Sequence, residues 1–332
     1  MRRSVVLLCL LHLLCAMVAQ QVPHPLRILS WNLENLFDTV HDEGFRDEEF
    51  LPQGERRWTS YRYRKKLKEV ARVVAAVADD GGVPALIGLC EVENDSVLTQ
   101  LVRRSPLRAL SYSYVMSCSE DARGIDVALL YQPSAFRLLE SRSLRVPSRE
   151  HGLQPTRDLL YARGLVLRGE GTDTLHVFVV HLPSRIGGHA GDRNRKLAAR
   201  TLWAAVDSVR TCSSLSSAVA SSTATPSEPA IVVMGDFNAT CRDRIFQKAP
   251  LRYTDDPSAD GTYCYQGFWQ WIDHILVSTS VPTAGYARPV RLPWLLEENK
   301  AYGGAMPRRT FCGPVYHGGV SDHLPLVLDV NF

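Results

Sequence analysis

Carboxylate, amide and imidazole side chains recur in this sequence at the ends of short apolar runs. They are Asn32, Glu34, Glu91, Glu93, His181, Asp236, Asn238, Asp322 and His323. Metal-assisted hydrolysis of a phosphate ester requires ligands for the cation, a base that activates water, donors for the anionic transition state and an acid for the leaving oxygen. These residue types meet all four needs, and oxygen ligands suit Mg²⁺, with Mn²⁺ as a substitute. The pattern therefore favours a metal-dependent hydrolase of phosphate esters.

Each of these features alone has a simpler interpretation. The polar turn after Trp31 could only close a loop, Asp236 and Asn238 could form an Asx turn, and Asp322 beside His323 could be a capping pair. Their recurrence at strand ends, rather than in strand centres or on exposed helices, favours one common site. Loops supported by a rigid sheet can bring such groups together.

Hydrophobic periodicity indicates which elements position these groups. Apolar runs predict strands over Leu26–Trp31, Pro84–Leu89, Asp126–Tyr131, Thr174–His181, Ile231–Met234, Ile272–Val277 and Leu324–Val330. Apolar residues at helical spacing predict helices over Tyr61–Ala78 and Arg193–Val209. The basic residues near the start of the first helix, Lys66 among them, are expected on its solvated face. The Ser, Thr and Ala-rich stretch Cys212–Glu228 is expected to be a surface loop, because a strand resumes directly after Pro229.

Composition and charge limit the class of protein. The 332 residues are 45% hydrophobic and 22% charged, which excludes a disordered, collagen-like or membrane-bundle protein. The formal net charge of +3 is too small to identify nucleic acid as the partner. Length alone is compatible with one large domain or two small ones.

The N-terminus has the pattern of a secretory signal peptide. Arg2 and Arg3 precede an apolar run from Val5 to Val18, and cleavage is expected after Ala19. Residues 1–19 are thus predicted to be removed, leaving 24–332 as a single catalytic domain that is exported to the periplasm or outside the cell. No later stretch is long enough for a transmembrane segment. A lipid anchor at Cys15 is less favoured, because the preceding leucine is larger than the small residue that such processing requires.

The cysteines argue against a thiolate metal site. Of the eight, Cys9 and Cys15 fall in the predicted signal peptide, and the others are widely spaced with no Cys-x-x-Cys pair. Cys90 lies in an apolar run and is expected to be a buried small residue. Export would permit disulfides, but the spacing does not determine their pairing.

Several segments together resemble the motifs of one known superfamily. They are Ser30–Glu34, Gly88–Asn94, Val180–Arg185, Gly235–Asn238, Trp271–Ile275 and Ser321–Pro325. In sequence and order they are similar to the endonuclease/exonuclease/phosphatase superfamily, which includes deoxyribonuclease I, abasic-site endonucleases, inositol polyphosphate phosphatases and bacterial sphingomyelinases. The resemblance implies an α/β four-layer sandwich, with two mixed β-sheets packed face to face, helices on the outer faces and the active site at one end.

The resemblance also implies a set of metal ligands. Glu91 would be the principal ligand of Mg²⁺, and Asn32, Glu34 and Asp322 would complete or support the cation sphere. Asn32 would in addition contact the substrate.

The same resemblance implies catalytic roles for the remaining residues. Asp236 and Asn238 would orient the attacking water and the phosphate. His323, held in one tautomer by Asp273, would contact the phosphate as a base or electrostatic stabiliser. His181 would protonate the leaving oxygen, for which an imidazole is suited near neutral pH.

Arginines after His181 are candidates for substrate binding. Arg185 could reach the phosphate oxygens with its guanidinium, or it could form a salt bridge that pins the loop. Among Arg193, Asn194, Arg195 and Arg200, which open the following helix, one residue is expected to point inwards. Arg200 is the candidate.

Substrate class is less determined than reaction type. Nucleic acid is favoured by His181 and by the basic segment Arg62–Lys68, although the sequence lacks an obvious series of aromatics interleaved with basic residues. The alternative is a phosphatase or phospholipid phosphodiesterase that acts on inositol phosphates or sphingomyelin-like lipids. Trp294–Leu296 would then touch a membrane, although such a run is more often core. A binding module without catalysis is disfavoured, because every expected polar group is present, and the oligomeric state stays open.

Overall fold

The computed structural model describes residues 25–168, 171–185, 188–220, 228–247 and 249–332. The predicted signal peptide, including Cys15, lies outside these residues.

Two six-stranded mixed sheets form the centre of the described structure, with strands numbered here in chain order. Sheet A contains, in spatial order, β13 (Arg288–Pro289), β18 (Leu326–Val330), β1 (Leu26–Leu36), β2 (Leu86–Val92), β4 (Asp126–Tyr131) and β3 (Ser113–Met116). Sheet B contains β5 (Phe136–Leu144), β6 (Leu159–Arg168), β7 (Gly171–His181), β8 (Ala230–Asp236), β12 (Asp273–Val277) and β9 (Arg252–Tyr253). The pairs β1/β2 and β7/β8 are parallel, and the other pairs are antiparallel.

Short hairpins and helices complete the described fold. The hairpins are β10 (Tyr263–Tyr265) with β11 (Phe268–Gln270), β14 (Leu296–Glu298) with β15 (Ala305–Pro307), and β16 (Phe311–Cys312) with β17 (Val315–Tyr316). The helices are α1 (Ser60–Asp79), α2 (Asp95–Thr99) with a π-helical turn at Gln100–Arg104, and α3 (Gly188–Ala220). Single 3₁₀ turns lie at Glu48–Phe50, Pro106–Leu110, Arg149–His151, Arg244–Phe246 and Pro293–Leu295.

Three apolar clusters separate four layers, because successive side chains of a strand point to opposite faces. The central cluster joins the two sheets and includes Ile28 and Leu86 of sheet A with Val179 and Met234 of sheet B. The second packs α1 on the outer face of sheet A, and the third packs α3 on the outer face of sheet B. This order of α1, sheet A, sheet B and α3 confirms the predicted four-layer α/β sandwich.

Helix α1 agrees closely with the predicted helix, but the expectation for Lys66 was wrong. Thr59 caps the helix by accepting a hydrogen bond from the Arg62 amide. Lys66 lies on the buried face together with Tyr63 and Leu67, and only 3% of it is exposed. Helical spacing places position 66 one turn after position 63, so its long side chain runs inwards beneath the end of β1.

Two other predicted boundaries change. Strand β2 begins at Leu86 and continues through Glu91, so this acid lies within the strand. The predicted surface loop Cys212–Glu228 is wrong at its start, because α3 continues to Ala220. Alanine and serine are tolerated in helices, and no glycine or proline interrupts this stretch before Pro226. Residues 221–227 lie outside the described structure.

Burial resolves two further predictions. Cys90 is fully buried, as expected, and its thiol donates a hydrogen bond to the Val180 carbonyl. Leu295 is buried in the cluster beneath α1, and Trp294 and Leu296 pack against the same cluster. The Trp294–Leu296 run is thus core. No helix of the described ranges is both long and apolar enough to cross a membrane.

Candidate active site

The ends of the two parallel strand pairs meet at one end of the sandwich. β1 carries Asn32 to this end, and β7 and β8 place His181 and Asp236 side by side. The Asn32 side-chain amide donates a hydrogen bond to Asp236 Oδ2 at 3.0 Å. This contact joins sheet A to sheet B directly.

Backbone strain accompanies these residues. Glu34, Glu91 and Asn238 have positive φ angles of 50°, 61° and 49°, a region that residues other than glycine rarely adopt. The register of the sheet shifts at the same places, between Asn32 and Leu36 in β1 and between Cys90 and Val92 in β2. Such irregularities redirect side chains out of the regular alternation.

Gly235 allows β7 and β8 to approach each other beside the site. Its φ angle is 139°, and a Cβ atom there would lie 1.9 Å from the carbonyl oxygen of Val180. No side chain fits, so glycine is required to seat His181 next to Asp236.

His323 and Asp273 form a buried pair. His323 Nδ1 lies 2.8 Å from Asp273 Oδ2, and the same oxygen accepts a hydrogen bond from the Thr262 hydroxyl at 2.5 Å. His323 Nε2 lies 3.8 Å from Asp236 Oδ2. Burial lowers the pKa of His323, but the carboxylates of Asp273 and Asp236 outweigh it and raise the pKa well above its usual value. The imidazole is therefore positively charged at neutral pH.

Asp236 is held by its neighbours on both oxygens. Oδ1 accepts a hydrogen bond from the Asn238 amide at 2.8 Å, and Oδ2 accepts the bond from Asn32. Burial and the nearby Asp273 charge raise the pKa of Asp236 to about 7. The Asn238 side chain donates to the Leu182 carbonyl at 2.9 Å, which fixes the turn after β8.

His181 is buried in a different electrostatic environment. Its Nε2 lies 3.6 Å from Asp236 Oδ2 and 3.8 Å from Glu91 Oε1, while Nδ1 has no hydrogen-bond partner among the described residues. Burial, followed by the cations Arg157 and Arg123, lowers the pKa of His181 well below its usual value. The imidazole is neutral here, so the predicted role as general acid requires that substrate binding raise this pKa.

Backbone amides hold two of the predicted metal ligands. Glu91 Oε2 accepts a hydrogen bond from the Asn35 amide at 2.8 Å, and Glu34 Oε2 accepts one from Thr310 at 2.6 Å. Burial and the Asp322 charge raise the pKa of Glu34 to about 7. The charges of Glu34, Glu91 and Asp322 all act on the buried Lys66 ammonium, so the three acids are close to one another.

Cations lie beside these acids: Lys66 and Arg309 near Glu34 and Asp322, and Arg123, whose Nη2 lies 3.5 Å from Glu91 Oε2. Lys66 Nζ donates to the Glu34 carbonyl at 2.6 Å and to the Thr310 hydroxyl at 2.9 Å. Arg309 Nη2 donates to Asp322 Oδ2 at 2.6 Å, and its Nε lies 3.7 Å from Glu34 Oε1. The arginine thus contacts two of the predicted metal ligands.

The donor set fits a hard divalent cation. Carboxylates with an amide oxygen are the ligands that Mg²⁺ and Mn²⁺ prefer. Glu91 Oε1 lies 3.8 Å from His181 Nε2, and Glu91 Oε2 lies 3.5 Å from Arg123 Nη2. In the described part of the chain, Asp236, Asp273 and His323 also bring ligand atoms within 4.8 Å of one another. In that group, His323 Nδ1 is already hydrogen-bonded to Asp273 Oδ2, and His323 Nε2 lies 3.8 Å from Asp236 Oδ2.

The two arginines predicted to bind substrate differ in their surroundings. Arg185 donates to Asp243 Oδ2 at 2.5 Å and to the Asn238 carbonyl at 3.2 Å, which is the loop-pinning alternative. Arg200 is exposed on α3, so the expectation that it points inwards was wrong. Arg195 points inwards instead and donates to the Pro183 carbonyl at 3.1 Å, because it shares the sheet-facing side of the helix with Ala198 and Leu202.

Other site residues had no signal in a single sequence. Arg157 is 7% exposed, pairs with Asp121 at 3.0 Å and donates to the Leu182 carbonyl at 3.1 Å, next to His181. The Tyr263 ring lies against His323 at a tilt of 36°, with ring centroids 4.8 Å apart. Both lie outside the recognised motifs, in segments whose position depends on tertiary packing.

Comparison with known proteins identifies the family. The model of the Endonuclease/Exonuclease/phosphatase family matches residues 27–331, and the chain belongs to this family. Its members are hydrolases that act on phosphate esters, and they generally use divalent metal ions. Among curated proteins none matches this sequence significantly.

Solved structures of the family have the same fold. The human Nocturnin catalytic domain, with bound sulfate, is 17% identical, covers 94% of this chain and 95% of its own, and has a TM-score of 0.56. The mannosyl-6-phosphatase of Bacteroides thetaiotaomicron is 16% identical over 92% of this chain and 100% of its own, with a TM-score of 0.56. A humanized TDP2 from D. rerio is 16% identical over 93% and 100%, with a TM-score of 0.54. At this identity the likeness establishes the fold and leaves the substrate open.

Proposed function

We propose that this protein is an exported, Mg²⁺-dependent phosphodiesterase that acts on nucleic acid. The observation that carries the proposal is the hydrogen-bonded series Asn32, Asp236 and Asn238, facing the charged His323–Asp273 pair. This arrangement sets a carboxylate that can orient water beside a cation that can bind a phosphate oxygen. The predicted signal peptide supports export.

Each catalytic residue has a separate role in the proposed reaction. Asp236, with a pKa near 7, accepts a proton from the attacking water while Asn238 holds the turn. His323 donates from Nε2 to a phosphate oxygen, and Asp273 keeps it protonated and oriented. His181 donates a hydrogen bond to the phosphate or its leaving oxygen.

Glu91 is the principal residue that would hold the metal, with Asn32, Glu34 and Asp322 around it. A bound Mg²⁺ supplies positive charge that polarises the phosphate and stabilises the leaving oxygen. The Lys66 ammonium donates a hydrogen bond to the backbone carbonyl of Glu34, and this bond holds Glu34 at the site.

The alternative is a phosphatase or phospholipid phosphodiesterase acting on inositol phosphates or sphingomyelin-like lipids. The likeness to a mannosyl-6-phosphatase supports a phosphomonoester substrate only at the level of the fold. The buried Trp294–Leu296 segment removes one reason to expect membrane contact. Nucleic acid therefore stays the favoured substrate.

A substrate panel tests the proposal. Plasmid DNA, RNA, sphingomyelin, phosphoinositides and mannose 6-phosphate are incubated with protein in Mg²⁺ and, separately, in chelator. We expect cleavage of DNA or RNA that is lost in chelator and restored by Mg²⁺ or Mn²⁺. His323→Ala should slow turnover by about 10²-fold or more, and Glu91→Ala should raise the Mg²⁺ concentration required.

The exposed residues His151 and Glu55 provide matched controls, since His151→Ala and Glu55→Ala should behave like the wild type. Full activity in chelator would contradict the metal requirement. Cleavage of sphingomyelin or mannose 6-phosphate, with DNA and RNA untouched, would replace nucleic acid by the alternative substrate class.

A further inference from the structure

The hairpin β10–β11 projects from the Asp–His pair. Its strands pair Tyr263 with Gln270 and Tyr265 with Phe268. The turn residues Gln266 and Gly267 both have positive φ angles, 49° and 83°, as in the tight two-residue turn that matches strand twist. The hairpin is thus a short, well-defined element.

The base of this hairpin is attached to the catalytic pair. Tyr263 forms a backbone bridge with His323, and the two rings contact each other at a tilt of 36°, with centroids 4.8 Å apart. The adjacent Thr262 hydroxyl donates to Asp273. Any group that lies along the hairpin therefore lies next to His323.

The two faces of the hairpin have different surroundings. Tyr263, Tyr265 and Phe268 share one face, because cross-strand partners and alternate residues of a strand point the same way. Trp269 is on the opposite face, where it packs against the cluster beneath α1 and lies 4.2 Å below the Arg291 guanidinium. The packing of Trp269 anchors the hairpin to the protein.

The face that carries Tyr263 leads from the site into solvent. Tyr265 is 54% exposed and Phe268 is 74% exposed, although both are large apolar rings. Tyr302, 60% exposed, lies against the turn, where a Cβ atom on Gly267 would be 2.6 Å from its own Cβ. Contiguous exposed rings beside a site are typical of a binding surface.

We propose that the Tyr263, Tyr265 and Phe268 face is a stacking subsite for a nucleobase next to the scissile phosphate. The proposal rests on the proposed nucleic-acid phosphodiesterase function and names the part of the substrate that this surface binds. Planar rings in series stack on bases of any sequence. The Arg309 guanidinium is near enough for its charge to act on Tyr263, and it suits the phosphate backbone of the same strand.

The nature of the side chains favours a base over a lipid chain. Two of the three exposed rings near the turn are tyrosines, and Gln266 stands at the turn itself. An acyl chain gains most from a concave aliphatic surface, whereas a base gains from a ring face whose edge remains in water. The hairpin and the Tyr302 loop thus form one exposed aromatic surface from rings at 263–268 and at 302 in the sequence.

Binding without turnover tests the subsite. Fluorescence anisotropy measures the Kd of a labelled single-stranded oligonucleotide in chelator, and of a second oligonucleotide whose sugars carry no bases. For the first probe, Tyr265→Ala/Phe268→Ala should weaken binding about 5- to 100-fold. For the base-free probe, wild type and variant should have equal Kd values.

Three further variants separate a ring from mere apolarity. Phe268→Tyr should bind like the wild type. Phe268→Leu should weaken binding nearly as much as Phe268→Ala, because it keeps an apolar side chain without a ring. The control is Tyr286→Ala, an exposed tyrosine (61%) near β13, whose neighbour Ala284 bonds to Asp329 at the far end of β18 from His323. This control should leave both Kd values unchanged.

The outcomes are distinguishable from failure of the proposed function. Equal binding of the base-containing probe by wild type and double variant overturns the subsite, even if the enzyme cleaves DNA. Loss of binding to sphingomyelin vesicles in the double variant, with oligonucleotide binding unchanged, also overturns it in favour of a lipid surface. A ring-dependent loss of oligonucleotide binding in an enzyme that cleaves no nucleic acid would support the subsite and contradict the proposed function.

Discussion

At the scale of single residues, the charge balance around Glu34 and Asp322 determines how a cation enters the site. Arg309 contacts both acids, and Lys66 lies beneath them with its ammonium bonded to neutral oxygens. A divalent cation that uses these acids must compete with the guanidinium. The side chain of Arg309 is 39% exposed, so water screens its attraction and it can leave at small cost.

Replacing this arginine should therefore strengthen metal binding. Arg309→Met keeps much of the apolar stem and removes the charge, and we expect Mn²⁺ to bind about 2- to 10-fold more tightly by titration calorimetry. The neighbouring Arg308 is exposed, and Arg308→Met is the matched control with unchanged affinity. Equal or weaker binding by Arg309→Met would mean that this arginine does not compete with the cation.

At the scale of elements, a buried histidine ties β12 to two loops. His274 Nδ1 lies 2.7 Å from Asp255 Oδ2, and Nε2 lies 2.9 Å from the Ala239 carbonyl. Burial lowers the pKa of His274, but the Asp255 carboxylate and the carbonyl outweigh it and raise the pKa above its usual value. Both nitrogens face acceptors, and together with the raised pKa this favours an imidazolium within β12, next to Asp273.

The stability of the protein should depend on pH through this contact. A raised folded-state pKa gives stabilisation that is fully present below the unfolded pKa of about 6.5 and is lost as pH rises through the folded value. We expect Asp255→Asn to lower the free energy of unfolding by about 3–5 kcal/mol at pH 6, and by less at pH 9. Urea denaturation at both pH values measures it, with the exposed Asp260→Asn as control. If Asp255→Asn lowers the free energy of unfolding by the same amount at both pH values, this role is contradicted.

At the scale of the whole molecule, the two sheets share one core. Ile28, Leu86, Val179, Met234 and Ile275 belong to the same buried cluster between the sheets. The Asn32–Asp236 bond crosses the same interface at the active-site end. Separate unfolding of either sheet would expose this cluster, so the two sheets are expected to unfold together.

Calorimetry on the chain without its predicted signal peptide should therefore record one transition. The calorimetric and van't Hoff enthalpies should agree, as for a cooperative domain. Met234→Ala removes a fully buried side chain from the shared cluster and should lower stability by about 2–5 kcal/mol while keeping a single transition. Two resolved transitions would indicate separate units and contradict the prediction that 24–332 is one domain.

Much of the site was predictable from the sequence because local pattern determines it. Polar residues that follow an apolar run indicate the end of a strand, so His181 and Asp236 could be placed at strand ends before any contact was known. The same rule failed for β1, which continues past the polar Asn32 to Leu36. The order of the motifs then indicated the family and the sandwich. Helix α1 was equally predictable, since its apolar spacing and Thr59 cap are local features.

Only the tertiary structure decided which charges face those residues. Lys66 bonds to Thr310, Arg309 contacts Glu34, and Arg157 lies beside His181, all between segments distant in sequence. The aromatic face of β10–β11 likewise appears only when the hairpin folds against His323. Periodicity and local motifs report on neighbours within a few residues, whereas the field acting on a buried group depends on every charge packed around it. The sequence by itself therefore determined the kind of chemistry, and the tertiary structure decided the protonation of its histidines and the surface offered to a substrate.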